Sequence, residues 1–317
     1  MQKYSTKKQS RKRRWKLVIV SLLFFFVFIY LASNKQSRNK IVNLYISSIN
    51  YIYPSKQTDV PKIKKEVTLN LPWPSYGQSA YGEKQDNKVY QSAQDLKPVP
   101  IASVAKIITA LAVLEKKPLK PGEQGPSILI TEADIAFYNE HLANQGTVVP
   151  VNVGEEITQY QALQAMLQPS ANNIADTLAV WAFGSKEEYI AYANNMLQKL
   201  NLQNTKVADP SGYSPNTVST APELVKLGFI YLENPVLIEI AKQPSSTIPI
   251  AGEIKNYNAS LNESEIVGIK IGFTDEAGRT FIATDLSNSN NPKVAVVLGA
   301  ESLPQVMQDT INILKSN

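Results

Sequence analysis

The sequence predicts an α/β domain of the α+β type, in which helices pack on one sheet, preceded by a membrane segment. Strand-like pieces come first, over 79–81 and 88–92, and the turn-rich stretch between them predicts a hairpin. A block of helical patterns then runs from 101 to 232. Three β-branched or apolar runs follow, at 266–271, 280–285 and 293–298. With a last helix over about 304–314, this order predicts a sheet covered by helices.

Apolar residues at helical spacing place the individual helices within that block. The predicted helices cover 101–115, 156–167, 172–182, 186–200 and 220–232. Pro118 ends the first of them and Gly184 ends the third, because neither residue type continues a helix well. Thr220 and Glu223 have the spacing of a capping box, which predicts where the last one begins.

The basic charge of the chain is concentrated at its N-terminus. The formal net charge is +5, but residues 1–16 hold eight basic residues and no acidic one. Beyond this basic cytoplasmic tail, the 27 acidic residues outnumber the remaining lysines and arginines. The body therefore has no cationic surplus for a polyphosphate backbone, and we predict no nucleic-acid partner.

An uncharged apolar segment over 17–33 follows the basic tail. Residues 17–32 read LVIVSLLFFFVFIYLA, close to the ~20 residues of a bilayer span. The heavier basic flank on its N-terminal side predicts a single-pass anchor in the cell membrane, with the N-terminus inside. We expect a stalk over 34–68 and an extracytoplasmic domain over 69–317. A cleaved signal peptide is the alternative, and it also exports the domain.

The residue types that are missing exclude several kinds of active site. The chain has no cysteine, which excludes disulfides, thiol nucleophiles and Cys-ligated zinc. Its one histidine, His141, is too few for the usual zinc peptidase, and its neighbours do not point to a Ser-His-Asp triad. We therefore predict that His141 is a surface residue and that the protein needs no metal or cofactor.

Three short motifs follow one another in the body of the chain. S-x-x-K stands at 103–106, S-x-N at 170–172 and K-x-G at 270–272. This is the motif order of class A β-lactamases and penicillin-binding proteins. The same spacings also occur elsewhere, at 37–40, 260–262 and 120–122, so a single motif is not specific.

The context of the first motif favours a nucleophile and its base. Ser103 lies in the predicted first turn of a strong helix, and Lys106 lies one turn further along the same face. A serine hydroxyl is a weak nucleophile until a base takes its proton, and an amine can do so if burial lowers its pKa. Ile101, Val104 and Ile107 would supply that burial. The helix N-terminus adds a positive field and a free backbone N–H.

The other two motifs stand where they can face a cleft. Ser170 and Asn172 fall in a break between two helices, after Pro169; the alternative is that Ser170 only caps the following helix. Lys270 lies at the end of a predicted apolar strand. An edge strand offers backbone N–H groups to an extended peptide, and a lysine offers a cation to a carboxylate.

Longer stretches around the motifs resemble the D-alanyl-D-alanine carboxypeptidases, the low-molecular-weight penicillin-binding proteins of peptidase family S11. These stretches are IASVAKIITALAVLE, GEEITQYQALQAMLQPSANNIADTLA, ADPSGYSPNTVSTAPELVKLG and KIGFTDEAGRTFIAT. They follow the family's order over about 70–300. The resemblance implies a β-lactamase/transpeptidase-like fold, with a central antiparallel sheet, flanking helices and an all-helical subdomain.

The resemblance also implies a role for each motif residue. Ser103 attacks the carbonyl between the two D-alanines of a peptidoglycan stem peptide and becomes acylated, while Lys106 takes its proton. Ser170 relays a proton to the leaving D-alanine, and Asn172 bonds the substrate amide. Lys270 lies near the terminal carboxylate. β-Lactams are expected to act as covalent inhibitors.

The substrate-binding strand shows one departure from the family. The backbone N–H groups of Ser103 and Phe273, beside Gly272, are expected to form the oxyanion hole, typically worth ~3 kcal/mol per donor. The family usually has threonine where this chain has Ile271, so a hydroxyl expected to hold the substrate carboxylate is missing. Thr274 is the candidate to replace it.

Two other functions remain open from the sequence. A serine β-lactamase shares the fold and the first step, but the only E-x-x-L-N string, at 66–70, precedes the first motif instead of following the second. A non-catalytic wall-binding or β-lactam-sensing module is the other alternative, with Ile271 as the mark of a decayed site. We expect the serine carboxypeptidase.

Overall fold

The computed structural model describes residues 70–93, 96–258 and 265–316 of the chain. The predicted membrane anchor over 17–33 and stalk over 34–68 lie outside the described residues. Within the part that is described, no helix is long and apolar enough to cross a membrane.

A five-stranded antiparallel sheet forms the centre of the fold, with the strand order β2-β1-β11-β10-β9. Its strands are β1 (Gln78–Glu83), β2 (Lys88–Gln91), β9 (Ile266–Thr274), β10 (Gly278–Asp285) and β11 (Lys293–Ala300). The predicted hairpin and the three late strands are therefore confirmed. Because β9 ends the order, it is an edge strand, and no strand among the described residues pairs with its other side.

Helices and three small ladders complete the described part of the fold. The helices are α1 (Lys106–Lys116), α2 (Glu132–Ala143), α3 (Gln159–Leu167), α4 (Asn172–Phe183), α5 (Lys186–Lys199), α6 (Ala221–Tyr231), α7 (Pro235–Lys242) and α8 (Leu303–Lys315). The ladders pair β3 (Val99–Pro100) with β6 (Val218–Ser219), β4 (Ser127–Leu129) with β5 (Glu156–Thr158), and β7 (Ser245–Ile248) with β8 (Gly252–Lys255). The subdomain expected to be all-helical therefore also contains short strands, and the segment 156–158, predicted as helix, is one of them.

The sheet separates two apolar cores because successive side chains in a strand point to opposite faces. In β10, Phe281 packs with α8 on one face, and Ile282 packs with the large helical layer on the other. In β11, Val296 and Val297 divide in the same way. Each such fully buried side chain contributes roughly 1.5–3 kcal/mol to folding, so the sheet is held firmly from both sides.

The prediction that His141 is a surface residue is wrong. His141 is buried, and its Nε2 lies 3.0 Å from Oδ2 of the buried Asp176. The same carboxylate oxygen accepts from Lys186 Nζ at 3.3 Å. A buried carboxylate needs hydrogen-bond partners. Asp176 lies in α4 and His141 lies in α2, and the two residues meet because these helices pack side by side. The sequence could not show that packing.

Candidate active site

The candidate nucleophile Ser103 lies in a 3₁₀ turn, Ala102–Ala105, that runs directly into α1. Ala102 has a positive φ of 46°. A Cβ on Gly212 would lie 1.9 Å from the carbonyl oxygen of Ala102, so only glycine permits this close approach. The backbone at Gly212 thus packs directly against the 3₁₀ turn that contains Ser103.

Lys106 is fully buried beneath Ser103 and makes three hydrogen bonds. Its Nζ donates to Ser103 Oγ at 2.8 Å, to Asn172 Oδ1 at 2.7 Å and to the carbonyl oxygen of Ser211 at 2.9 Å. Burial lowers the pKa of Lys106 to about 7, although Asp209 and Asp176 oppose that shift. A large fraction of the amine is therefore neutral near pH 7 and able to accept the serine proton.

We expect acylation to become faster as the pH rises through about 7. Lys106 can act as a base only when it is neutral, and its lowered pKa of about 7 sets the midpoint of the rise. The acylation rate of the purified domain, measured from pH 5 to 9, should increase and then level off above pH 8.

His141 is the control for this profile because it is the one histidine in the sequence and it does not line the cleft. The His141→Gln variant should keep the same midpoint. A profile that is flat in the wild type, or whose midpoint disappears in His141→Gln, would contradict the assignment of Lys106 as the base.

Asp209 was not predicted from the sequence as a site residue. Its side chain forms hydrogen bonds within the loop 209–217, which contacts Lys106 through the Ser211 carbonyl. Its carboxylate accepts from Ser211 Oγ at 2.7 Å, from the backbone N–H of Tyr213 at 2.9 Å and from Thr217 Oγ1 at 2.6 Å. This places the Ser211 carbonyl against the Lys106 amine. The signal was present in the sequence, since Asp-Pro-Ser-Gly at 209–212 is a turn sequence whose Asp side chain typically bonds the backbone.

The second motif lies between α3 and α4, as predicted, and lines the same cleft as Ser103. Ser170 has a positive φ of 70°, a conformation that costs of the order of 1–3 kcal/mol and often occurs at functional sites. Asn172 begins α4, and its Oδ1 accepts from Lys106. The alternative that Ser170 caps α4 is wrong: Ala171 occupies the cap position, without a side-chain hydrogen bond.

The third motif lies inside β9, not at a strand end, because the strand continues to Thr274. Lys270 is fully buried, and its Nζ donates to the carbonyl oxygen of Ile271 at 2.9 Å. Burial, and next the nearby charge of Lys106, lower the pKa of Lys270 well below its usual value. The amine thus lies behind the cleft wall, and its expected contact with a substrate carboxylate stays a prediction.

The side of β9 away from β10 lies beside the cleft, and residues 271–274 line that cleft. The Ile271 N–H donates to Asn258 Oδ1 at 2.8 Å, on the side away from β10. Backbone groups two residues apart in a strand point the same way, so the N–H of Phe273 also faces that side. A Cβ on Gly272 would lie 2.8 Å from the Ser103 nitrogen. The two predicted oxyanion donors therefore belong to adjoining segments.

Replacing Gly272 with alanine should impair catalysis more than stability. The added Cβ would lie 2.5 Å from Thr280 Oγ1 and 2.8 Å from the Ser103 nitrogen, so the nucleophile turn must shift. We expect kcat to fall roughly 100-fold, the scale of losing one oxyanion donor. The measurement is steady-state hydrolysis together with the midpoint of thermal unfolding.

Gly228→Ala is the matched control, because its Cβ would lie 2.8 Å from Val294 Cγ1, in the core beside α6. This variant should lose about 1–3 kcal/mol of stability through overpacking but keep its kcat. Equal loss of kcat in both variants would show that Gly272 acts only through stability.

A cleft of about 260 Å³ brings the predicted residues together. Its lining includes Ser103, Ser170, Asn172, Ile271, Gly272, Phe273 and Thr274, together with Gln145, Gly146, Thr147, Pro169, Gly212, Tyr213, Tyr257, Arg279 and Leu303. Lys106 and Lys270 lie behind this surface. Thr274 Oγ1 accepts from the Ala277 N–H at 3.2 Å, in the turn between β9 and β10. The described residues contain no cluster of three or more side chains suited to a metal ion.

A serine held against a buried amine, beside the edge of a sheet covered by helices, defines a serine acyl-transfer enzyme of the β-lactamase-like fold. Residues 81–302 match the family model described as Peptidase S11, D-alanyl-D-alanine carboxypeptidase. The chain belongs to this family. It is by family a serine-type D-Ala-D-Ala carboxypeptidase, a hydrolase, which confirms the resemblance and the fold predicted from the sequence.

Individual relatives agree with this assignment. A D-alanyl-D-alanine endopeptidase of Pseudomonas aeruginosa is 27% identical over 270 residues, which are 83% of each chain. A D-alanyl-D-alanine carboxypeptidase of Mycobacterium tuberculosis is 27% identical over 63% of this chain and 67% of its own. The crystal structure of the Streptomyces K15 DD-transpeptidase superposes with a TM-score of 0.66 at 21% identity, over 74% of this chain and 94% of its own. At that identity the superposition shows the fold alone.

Proposed function

We propose that this protein removes the terminal D-alanine from peptidoglycan stem peptides through an acyl-enzyme on Ser103. The observation that carries the proposal is the fully buried Lys106 amine, which lies 2.8 Å from the Oγ of Ser103, a residue that lines an open cleft. A neutral amine at that distance can take the hydroxyl proton as the oxygen attacks.

The proposed steps balance in atoms and charge. Ser103 Oγ bonds to the carbonyl carbon of the penultimate D-alanine while its proton passes to Lys106. The developing oxyanion is held by the N–H groups of Ser103 and Phe273. The C–N bond then breaks, and the proton reaches the leaving amine through Ser170, which shares the cleft with Asn172. Water hydrolyses the ester and restores the serine.

The test combines D-alanine release with covalent labelling. The domain over 69–317 should release D-alanine from a pentapeptide ending in D-Ala-D-Ala, and a fluorescent penicillin should label Ser103 and leave slowly. Rapid turnover of the β-lactam would favour a β-lactamase. Labelling without D-alanine release from any stem peptide would favour a sensing module and would reject the proposal.

An endopeptidase is the second candidate function, because several of the chain's relatives carry that name. Besides the Pseudomonas protein, D-alanyl-D-alanine endopeptidases of Escherichia coli and Haemophilus influenzae are 26% and 29% identical to it. An endopeptidase cleaves a bond inside a chain. Faster cleavage of a cross-linked stem-peptide dimer than of a linear pentapeptide would favour this candidate over the carboxypeptidase.

The location of the enzyme is a separate proposal that rests on the sequence of 1–68. An apolar segment over 17–33 after a strongly basic tail supports a single-pass anchor with the catalytic domain outside the cytoplasm. Membrane fractionation of the full chain, with and without 1–33, tests the anchor. Recovery of the full-length protein in the soluble fraction at its full mass would reject it.

A further inference from the structure

A second depression in the surface, about 450 Å³ in volume, is formed by α3, by the segment after α7 and by β7. The residues that line this polar groove are Gln124, Tyr160, Gln161, Gln164, Gln243 and 245–247. Each of them offers an amide or a hydroxyl group, and none of these eight described residues is charged. The groove therefore suits an uncharged ligand rich in hydrogen-bonding groups, since its lining gives an ion no opposite charge to pair with.

Hydrogen bonds among its own side chains hold the polar groove in one arrangement, with Gln243 at the centre. The Oε1 of Gln243 accepts from Gln164 Nε2 at 2.7 Å and from Gln168 Nε2 at 3.1 Å. The same oxygen accepts from Ser246 Oγ at 3.1 Å, and the Nε2 of Gln243 donates to the Tyr160 hydroxyl at 2.8 Å. A ligand that binds such a preformed set of donors and acceptors loses little entropy in ordering them.

Sugars are the class of ligand that matches this lining. Each sugar hydroxyl donates one hydrogen bond and accepts others, and an acetamido group does the same through its N–H and its carbonyl. Glutamine amides and serine or threonine hydroxyls also donate and accept, so they can pair with such groups in either direction. An extended peptide would instead need pockets for its alternate side chains, and none of the described residues that line the groove has an aliphatic side chain.

The polar groove lies within the length of a stem peptide from the catalytic cleft. Gln164 lines the groove, and the carbonyl oxygen of the next residue, Ala165, accepts from the Ala171 N–H at 3.2 Å. Ala171 follows Ser170, which lines the cleft, so the Cα atoms of Gln164 and Ser170 are at most about 15 Å apart. Five extended residues span at most about 17 Å. A stem peptide joins its glycan strand at the end opposite to D-Ala-D-Ala, so a peptide bound in the cleft can bring its sugar to the groove.

We propose, on the basis of the proposed function, that the polar groove binds the glycan strand that carries the stem peptide. The ligand class is an uncharged chain of N-acetylated amino sugars. Such binding favours stem peptides that are attached to glycan over free ones. Because the sugar contacts are the same in the ground state and in the transition state, their loss raises KM and leaves kcat unchanged.

Titration with a β-1,4-linked tetrasaccharide of N-acetylglucosamine tests the groove without catalysis, in a domain that carries Ser103→Ala. We expect this probe to bind, and to bind roughly 10-fold more weakly when Gln164→Leu is added. That change removes an amide that donates to both Gln243 and Ser246. Thr247→Val removes a groove hydroxyl at an exposed residue, so it keeps the test available if Gln164→Leu does not fold, and it should also weaken binding.

Gln78→Leu is the matched control, since Gln78 is as buried as Gln164, at 7% exposure, but lines neither the groove nor the cleft. It should leave the affinity for the tetrasaccharide unchanged. Equal affinity in all these variants, or no binding in any of them, would overturn the proposal. Displacement of the tetrasaccharide by a free stem peptide would assign the groove to peptide and would overturn it as well.

Steady-state hydrolysis by the active domain completes the test with two substrates, a free pentapeptide ending in D-Ala-D-Ala and the same peptide attached to a glycan tetrasaccharide. We expect a lower KM for the attached peptide, and a roughly 10-fold loss of this advantage in Gln164→Leu at unchanged kcat. A wild type that releases D-alanine with the same KM from both refutes only the role of the groove. A wild type that cleaves neither substrate, although the Ser103→Ala domain binds the tetrasaccharide, refutes only the proposed function.

Discussion

Replacing Ser103 with alanine should abolish D-alanine release and penicillin labelling while leaving the fold intact. The hydroxyl is the proposed point of acyl attachment, and no other side chain has the Lys106 amine as a hydrogen-bonded base in the described part of the chain. Loss of a serine nucleophile in a comparable machinery costs roughly 10⁶-fold in kcat. The small change in volume, at the surface of the cleft, should shift stability by less than about 1 kcal/mol.

Ser127→Ala is the matched control, because Ser127 is exposed in β4 and outside the cleft lining. It should keep full activity. Mass spectrometry of the penicillin adduct identifies the labelled residue directly. An adduct on Ser170, or D-alanine release by Ser103→Ala within tenfold of the wild type, would sink the assignment of the nucleophile.

Much of the fold could be predicted because its apolar periodicities are strong. The strands β9, β10 and β11 are buried on both faces, so each appears as a nearly continuous apolar run, and α4 and α5 have helical spacing with clear ends. Two helices went unpredicted for different reasons. In α2, EADIAFYNEHLA, only Asp134 and His141 are buried, so an apolar stripe is almost absent. In α7, the Asn234 cap and Pro235 were signals that could have found it.

The spacing of a local motif does not fix its hydrogen bonds when residues elsewhere in the fold offer the same side chain other partners. Thr220 and Glu223 have capping-box spacing, and a helix does begin there, but no capping hydrogen bond forms. Glu223 accepts instead from the Asn204 N–H at 3.0 Å and from Thr205 Oγ1 at 2.6 Å. The capping prediction was therefore wrong although the helix start was right, because a loop distant in sequence provides better donors.

The candidate site could be predicted in its residue types but not in its electrostatics. Spacing placed Lys106 beside Ser103, since three residues make about one helical turn. It could not show that Lys270 is buried so close to Lys106 that the charge of Lys106 helps to lower the pKa of Lys270, because that depends on β9 packing against the 3₁₀ turn. Nor could it show that Arg279 lines the cleft and stacks on Phe273, because that depends on the pairing of β9 with β10.

Replacing Lys106 with methionine should lower the acylation rate by roughly 10⁴-fold, the upper range for a general base, since a thioether cannot take the serine proton. Methionine fills a similar volume, so the change removes the amine with little loss of packing. Lys226→Met is the matched control, because Lys226 is another buried lysine with a lowered pKa but lies outside the cleft lining. It should acylate at the wild-type rate.

The same variant should reveal the cost of keeping this amine buried. The unfolded chain holds the Lys106 proton up to its ordinary pKa of 10.5, whereas the folded protein releases it at about 7. Between these values the unfolded state binds more protons, so wild-type stability should rise with pH relative to Lys106→Met. The expected slope is roughly 1 kcal/mol per pH unit in that window, with no change in the difference below it. Urea unfolding of both proteins from pH 6 to 10 measures this difference, and a constant difference across the range would mean that Lys106 stays charged in the fold and cannot be the base.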